Sequence, residues 1–202
     1  MSATGQIFVL SGPPGAGKST VGAMVRQNLP DLAYSVSFTT RAPRPGERDG
    51  VDYHFVDRQA FIQRLERGDI LEHVEIFGNM YGTSAQVIDQ TIGQGVDLFL
   101  DTDVNGGKAL RGHYPQGVFI FIVPPSRAEL ERRLRQRGTE TEDNIRLRLA
   151  RVGYELAAAQ DYTHLVINDD LNKAAAQVEA IITTDRLRTE RQLTRIKREW
   201  GL

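Results

Sequence analysis

The distribution of apolar residues predicts β-strands and α-helices in alternation. Short, mostly apolar runs at residues 7–10, 96–101, 118–123 and 165–167 are predicted strands. The run 118–123 contains no polar residue, which is typical of a strand buried on both faces of a parallel sheet. Helices are predicted around these strands at residues 20–29, 84–94, 104–112, 127–136, 143–160 and 171–182. This order predicts an α/β fold with three layers, in which helices cover both faces of a parallel sheet.

Residues 40–97 contain more predicted elements than a simple crossover needs. Strands are predicted at residues 50–56 and 70–77, helices at residues 58–67 and 84–94, an N-cap at Asp57 and a turn at residues 78–83. A connection of this length indicates an insertion. We therefore predict a small subdomain at about residues 40–96, inserted between two parts of the core, residues 1–39 and 97–183.

The last segment, residues 184–202, is predicted to be a charged helical tail. It carries six lysines and arginines between residues 186 and 198. Such a tail could contact RNA or a protein partner, but we favour a solvated and partly docked helix.

Composition narrows the function classes. The 202 residues suffice for one α/β domain with an insertion, and 25 basic against 26 acidic residues give a formal net charge of −1. The absence of cysteine excludes a disulfide framework and a cysteine nucleophile. Without a signal-peptide pattern or an apolar run of membrane-spanning length, we expect a cytoplasmic protein that has no membrane or nucleic-acid partner. The oligomeric state is left open, a homo-oligomer included.

A phosphate-binding pattern, G-x-x-x-x-G-K-[ST], lies between the first predicted strand and the first predicted helix. It consists of Gly12, Pro13, Pro14, Gly15, Ala16, Gly17, Lys18 and Ser19, followed by Thr20. Glycines let backbone N–H groups surround a polyphosphate, and the helix N-terminus adds partial positive charge. The lysine of this pattern reaches the β- and γ-phosphates, and its hydroxyl residue binds Mg²⁺. The sequence thus predicts a P-loop core with Mg²⁺ as its cofactor.

An acidic residue, Asp101, ends the predicted strand at residues 96–101. In a P-loop protein, an aspartate in this place can hold Mg²⁺ directly or through water. Alternatively, Asp101 only caps the helix predicted at residues 104–112.

Arginines occur in two segments where they could bind phosphate. Arg41 and Arg44 lie in a turn rich in proline and form either a fork for an anion or a solvated basic loop. Residues 133–148 join two arginine-rich helices through a break and could form a lid over a polyphosphate. The alternative for the second segment is a charged helix face with pairs such as Glu131–Arg135, and Arg132 and Arg135 are predicted to have that role.

These motifs together resemble those of the guanylate kinases over about residues 6–183. The resemblance is carried by residues 11–20, 35–47, 50–55, 78–83, 100–103 and 133–142. The P-loop alone indicates only a superfamily. The runs T-T-R-A-P-R-P-G-E at residues 39–47 and R-G-T-E-T-E at residues 137–142, in this order and spacing, are specific to the family.

The resemblance implies phosphoryl transfer from ATP to GMP, giving ADP and GDP. It assigns the GMP phosphate to Arg41, Arg44, Tyr53 and Tyr81, the guanine side to Ser37, Glu72 and Thr83, and the nucleoside to Asp103. It assigns the transferring phosphate to Arg133, Arg137 and Arg148 beside Lys18, and the adenine of ATP to Asn168. The run Val104-Asn105-Gly106-Gly107 departs from the family pattern, so we expect different packing there.

Glu72 suits its implied role on chemical grounds, because a carboxylate can accept hydrogen bonds from both N1–H and the exocyclic amine of guanine. Adenine lacks these donors and would leave a buried charge unpaired. Two rival interpretations remain: a kinase for another small molecule on the same scaffold, and a non-catalytic binding module. Glu72, Tyr81 and Thr83 count against the first, and the complete P-loop with Lys18 and Ser19 counts against the second.

Overall fold

The computed structural model describes residues 5–76, 78–136 and 141–201. Its elements, in chain order, are β1 (Ile7–Ser11), α1 (Lys18–Asn28), β2 (Ala33–Tyr34), β3 (Phe38–Thr39), β4 (His54–Phe55), α2 (Arg58–Glu66), β5 (Ile70–Ile76), β6 (Asn79–Ser84), α3 (Ala85–Gly93), β7 (Leu98–Thr102), α4 (Val104–His113), β8 (Val118–Val123), α5 (Arg127–Gln136), α6 (Glu142–Ala157), a 3₁₀ helix (Ala158–Asp161), β9 (His164–Ile167), α7 (Leu171–Arg186) and α8 (Thr189–Glu199).

The larger sheet has the strand order β2-β7-β1-β8-β9, and its strands pair in parallel. Val9 of β1 lies between Leu100 of β7 and Phe119 of β8. Helices α1 and α7 pack on one face of this sheet, and α3 and α4 pack on the other. The three-layer α/β core predicted from the sequence is therefore confirmed.

Burial on both faces explains why the central strands read as continuous apolar runs. All five residues of β1 are buried, as are the first five of β8. Phe8 and Ile120 point into the cluster with α1 and α7, whereas Val9 and Phe119 point into the cluster with α3 and α4. A strand covered by helices on both sides gains from apolar residues at every position.

A second, smaller sheet has the strand order β4-β3-β6-β5. Helix α2 packs against it through Phe61, which is fully buried with Phe38, Ile70 and Met80. Asp57 caps α2 as predicted, since its side chain accepts a hydrogen bond from the Ala60 N–H at 2.7 Å.

The prediction of a turn at residues 78–83 is wrong, because Asn79–Ser84 is strand β6. Gly78 alone adopts a turn conformation, with φ of 77°. Gly82 has a packing role instead: a Cβ there would lie 2.6 Å from Ile70 Cγ2 and 2.9 Å from Phe61 Cζ. Close packing from neighbouring elements, which local sequence does not reveal, therefore accounts for a glycine that reads as a turn signal.

The structure also differs from the predicted limits of the insertion. The small sheet begins at Phe38 and ends at Ser84, and helix α3 packs on the core sheet through Ile88 and Ile92. The strand predicted at residues 50–56 forms only at His54–Phe55. Among the described residues, no helix is long and apolar enough to cross a membrane.

The C-terminal tail is attached to the core by a cluster of ion pairs. Asp97, only 6% exposed, accepts hydrogen bonds from Arg186 Nε at 2.8 Å, from Arg191 Nη2 at 2.5 Å and from the Gln6 N–H at 2.8 Å. Arg191 also pairs with Asp185 at 2.5 Å. These contacts join α7 and α8 to the residue before β7, so this part of the tail is docked.

We expect Asp97→Ala to destabilise the protein, because both arginines lose their most buried acceptor and the Gln6 N–H loses its hydrogen-bond partner. The expected loss is about 3 kcal/mol, a fall in Tm of about 9 °C. Asp31→Ala is the matched control, since Asp31 also pairs with Arg186 but its side chain is 69% exposed. Thermal denaturation of both variants measures the difference, and equal effects would contradict a structural role for Asp97.

Candidate functional site

The P-loop connects β1 to α1 at the carboxyl edge of the larger sheet. Gly15 and Gly17 have positive φ angles of 89° and 95°, and Gly17 is the N-cap of α1. Because glycine has no side chain, no cap from this residue occupies the first N–H groups of the helix, which therefore remain available to an anion. The Lys18 ammonium donates to the Gly12 carbonyl at 2.6 Å and to the Pro13 carbonyl at 3.2 Å.

Asn168 lies beneath this loop. Its side chain is fully buried, and its amide donates to the Ala16 carbonyl at 2.8 Å. A Cβ on Gly17 would lie only 2.3 Å from the Asn168 amide nitrogen. The predicted contact of Asn168 with adenine does not fit this burial, and the geometry gives the side chain a supporting role under the P-loop instead.

A cavity of about 210 Å³ opens beside the P-loop, between the two sheets. Its lining includes nine of the predicted site residues: Pro14, Lys18, Ser19, Ser37, Tyr53, Glu72, Tyr81, Asp101 and Asp103. The first three come from the P-loop, and Glu72 and Tyr81 come from the small sheet. The structure thus brings together side chains that lie more than 80 residues apart in sequence.

Glu72 is the most unusual titratable group of this cavity. Thr83 donates its hydroxyl to Glu72 Oε1 at 2.7 Å. Burial raises the pKa of Glu72 to about 7; the Thr83 hydrogen bond opposes this shift, and the Asp103 carboxylate adds to it. A Cβ on Gly106 would lie 3.0 Å from Glu72 Oε2, so the glycine in α4 makes room for this carboxylate.

A second cavity of about 180 Å³ is lined by Arg26, Tyr34, Arg41, Arg44 and Glu47, among others. It shares Ser19, Tyr53 and Asp101 with the first cavity, so the two form one cleft.

Arg41 is held in place by Glu47 and by an aromatic ring. Its guanidinium pairs with both carboxylate oxygens of Glu47 at 2.9 Å and lies 5.3 Å from the centre of the Tyr53 ring. The hydrogen bonds from Arg41 hold the pKa of Glu47 below its ordinary value, while burial raises the pKa of Tyr53 to about 12. Glu47 also accepts from the Arg44 N–H at 2.7 Å and so shapes the whole turn.

Asp101 lies at the carboxyl end of β7 and lines both cavities. The alternative role as a helix cap is wrong for this residue, because Asp103 caps α4 by accepting from the Gly106 N–H at 2.8 Å. Asp101 instead accepts a hydrogen bond from the Tyr34 hydroxyl at 2.5 Å.

The predicted arginines of the lid segment are placed differently from one another. Arg133 donates to Glu129 at 2.7 Å and to the Asn168 carbonyl at 2.9 Å, so it lies next to the support of the P-loop. Arg148 is half-buried on α6, and neither residue lines the two cavities. Arg137 lies outside the described residues.

The surface role predicted for Arg132 and Arg135 is confirmed. Arg132 pairs with Glu129 at 2.7 Å, and Arg135 pairs with Glu131 at 2.9 Å and with Glu142.

Three residues of this site were not predicted as site residues: Arg26, Tyr34 and Glu47. Glu47, which pairs with Arg41, lies in the motif at residues 39–47, but the only local pattern at Arg26 and Tyr34 is that of a helix and a short strand. Only the parallel pairing of Tyr34 with Phe99 brings this tyrosine beside Asp101.

Comparison with known proteins gives one consistent family. A family model described as "Guanylate kinase" matches residues 4–185. The guanylate kinase of Alkalilimnicola ehrlichii is 47% identical over 93% of each chain, and that of Carboxydothermus hydrogenoformans is 41% identical over 98% of this chain and 97% of its own. A crystal structure of guanylate kinase from Anaplasma phagocytophilum superposes with a TM-score of 0.76 at 33% identity, covering 95% of this chain and 91% of that one.

The raised pKa of Glu72 predicts a pH-dependent effect of Glu72→Gln on stability. A buried carboxyl whose pKa rises to about 7 on folding binds its proton more tightly in the native state. Ionisation of Glu72 therefore lowers the free energy of unfolding as pH rises from about 4.5 to about 7, and glutamine removes this loss. The gain of the variant over wild type should grow across that window and become constant above it.

Urea denaturation at several pH values between 5 and 8 measures this difference. Glu66→Gln, at an exposed position on α2, controls for the loss of one carboxylate. A gain that is the same at every pH would contradict the burial effect.

Proposed function

Since the chain belongs to the guanylate kinase family and catalyses the ATP-dependent phosphorylation of GMP to GDP, we propose that this reaction takes place in the cleft beside the P-loop. One observation carries the proposal: the P-loop residues Lys18 and Ser19 and the half-buried Glu72 line the same cavity. Residues suited to the phosphates of ATP thus share a cavity with a carboxylate suited to the guanine of GMP.

The P-loop residues, Gly12 to Thr20, bind the phosphates of ATP in this proposal. The backbone N–H groups at the start of α1 supply donors and partial positive charge. Lys18 exchanges its carbonyl partners, Gly12 and Pro13, for the β- and γ-phosphates. Asn168 keeps the loop in shape from below rather than touching the adenine.

Nucleotide kinases generally need Mg²⁺. We propose that Ser19 and Asp101 hold the ion in the cleft, directly or through water. A hydroxyl and a carboxylate are hard oxygen ligands of the kind Mg²⁺ prefers, and both line the two cavities. Among the described residues, no group of three or more acidic or histidine side chains is placed to hold a metal ion, so we propose an ion held mainly by water and phosphate oxygens. When bound, the ion offsets negative charge on the β- and γ-phosphates.

Arg41, Arg44, Tyr53 and Tyr81 bind the phosphate of GMP. Glu47 orients the Arg41 fork, and a bidentate guanidinium matches phosphate oxygens in geometry as well as charge. Ser37, Glu72 and Thr83 face the guanine, and Asp103 lies on the nucleoside side. The raised pKa of Glu72 drops when N1–H and the exocyclic amine donate to its ionised form, so the base itself completes the site.

The proposed mechanism is direct in-line transfer. A GMP phosphate oxygen attacks the γ-phosphorus of ATP, and the bond to the ADP oxygen breaks. No side-chain nucleophile is required, so the protein acts by positioning and by charge. Lys18, Arg133, Arg137 and Arg148 stabilise the charge that spreads over the transferring group. Arg133 donates to the Asn168 carbonyl and lies outside the two cavities, so reaching the transferring group requires movement of α5 and α6 toward the cleft.

The remaining parts of the proposal concern organisation and partners. We propose residues 1–183 as the kinase domain, with residues 184–202 as a tail docked on it. We further propose that the protein acts in the cytoplasm, and its formal net charge of −1 gives no sign of a nucleic-acid or membrane partner. The oligomeric state is left open, a homo-oligomer included.

ADP release with GMP, AMP, CMP or UMP as the acceptor tests the proposed site. We expect turnover with GMP and a loss of at least about 100-fold in kcat for Lys18→Ala, because the transferring phosphate loses its positive charge. Lys173→Ala, at an exposed position on α7, should keep full activity. Turnover with another acceptor would favour a different kinase, and folded protein without turnover would favour a binding module.

Binding of GMP in the absence of ATP tests the role of Glu72. Affinity for GMP should rise as pH increases from 6 to 8, because only the ionised carboxylate accepts both guanine donors. Glu72→Gln should bind GMP about 100-fold more weakly and lose this pH dependence. Isothermal titration calorimetry measures both effects, with ATP affinity as the internal control. An unchanged GMP affinity in the variant would refute the assignment.

A further inference from the structure

An aromatic side chain with no role in the reaction just described is bonded to Asp101. Tyr34 lies in β2, the edge strand of the larger sheet, where it pairs with Phe99 of β7. Two residues further along β7, Asp101 Oδ1 accepts a hydrogen bond from the Tyr34 hydroxyl at 2.5 Å. The short contact between a phenol and a carboxylate is of the stronger, charge-assisted kind.

The ring of Tyr34 is held on two sides. The guanidinium carbon of Arg26, on α1, lies 3.9 Å from the ring centre, and the Phe99 ring lies 6.3 Å away. Arg26 belongs to the helix that begins at Lys18 and Ser19. The tyrosine therefore connects the P-loop helix to the strand that carries Asp101, and its hydroxyl has little freedom to leave the carboxylate.

Three arginines near Asp101 show why its carboxylate must be kept in one orientation. Arg26, Arg41 and Arg44 line the same cavity as Asp101. An aspartate free to rotate could pair with one of these guanidiniums, which would remove a carboxylate from the metal side and a cation from the acceptor phosphate. Two contacts of Tyr34 oppose such a rotation: its ring stacks with Arg26, and its hydroxyl holds one oxygen of Asp101 in a fixed direction.

We propose that Tyr34 is a positioning residue that keeps the Asp101 carboxylate on the metal side of the cleft and apart from the arginines. This inference rests on the proposed function, in which Asp101 lies on the Mg²⁺ side of the cleft. Tyr34 acts through Asp101 and not on the reacting atoms, so its effect should appear in the metal dependence of nucleotide binding.

Tyr34→Phe removes one oxygen atom and keeps the ring under Arg26. Calorimetry with a non-hydrolysable ATP analogue, without GMP, gives the affinity in Mg²⁺ and in EDTA. We expect the affinity in Mg²⁺ to fall about three- to tenfold and the affinity in EDTA to stay at the wild-type value. Equal losses in both conditions, or no loss in either, would overturn the proposal.

Tyr114→Phe is the matched control. Tyr114 donates to Asp89 Oδ1 at 2.8 Å, which is the same kind of pair outside the cleft. This variant should leave both affinities unchanged, and its thermal melting shows what the loss of a tyrosine–aspartate hydrogen bond costs in stability alone.

Asp101→Asn distinguishes the role of Asp101 on the metal side from the positioning role of Tyr34. It should weaken binding in Mg²⁺ at least as much as Tyr34→Phe does, and Tyr34→Phe added to it should cause no further loss. Asp101→Asn without an effect would refute the metal-side role of Asp101. An effect of Asp101→Asn with none from Tyr34→Phe would refute only the role of Tyr34.

Discussion

The parallel pairing of β1 with β7 and β8 is the constraint on which the rest of the structure depends. Because these strands run in the same direction, their carboxyl ends meet at one edge, where the P-loop follows Ser11 and where Asp101 ends β7. Parallel strands must be covered by helices on both faces, and α1, which starts at the P-loop, is one of those helices. The same geometry that buries the core therefore places a helix N-terminus and a carboxylate side by side.

The small sheet completes the cleft by bringing the half-buried Glu72 to this edge. Glu72 can lie close to α4 because Gly106 has no side chain, and β6 can lie close to α2 because of Gly82. Burial raises the pKa of Glu72 to about 7, so its ionisation lowers the stability of the folded protein near neutral pH. In the proposed site, the same carboxylate favours a base with two adjacent donors, so stability and selectivity would be opposed at this position.

Much of the architecture and several of the side chains that line the cleft could be predicted from local patterns. The G-x-x-x-x-G-K-[ST] run, the continuous apolar strand at Val118–Val123 and the cap at Asp57 each depend on neighbouring residues, and each has the predicted form. Prediction failed where distant residues decide. Gly82 reads as part of a turn but serves packing, and Asn168 matches an adenine contact by position but is buried under Ala16 and Gly17. The suggested cap at Asp101 failed likewise, because β7 continues to Thr102 and Asp103 caps α4.

The sequence by itself determined the α/β class, the P-loop pattern that ends in Lys18 and Ser19 and the resemblance to the guanylate kinases, because these depend on residue types at short, regular spacings. Only the tertiary structure decided which side chains share the cleft and in what state. The pKa of Glu72 depends on burial by α4 and on Asp103, and Asp101 meets Tyr34 through pairing between strands far apart in sequence. Burial and hydrogen bonding between distant segments are properties of the packed chain, and no local pattern contains them.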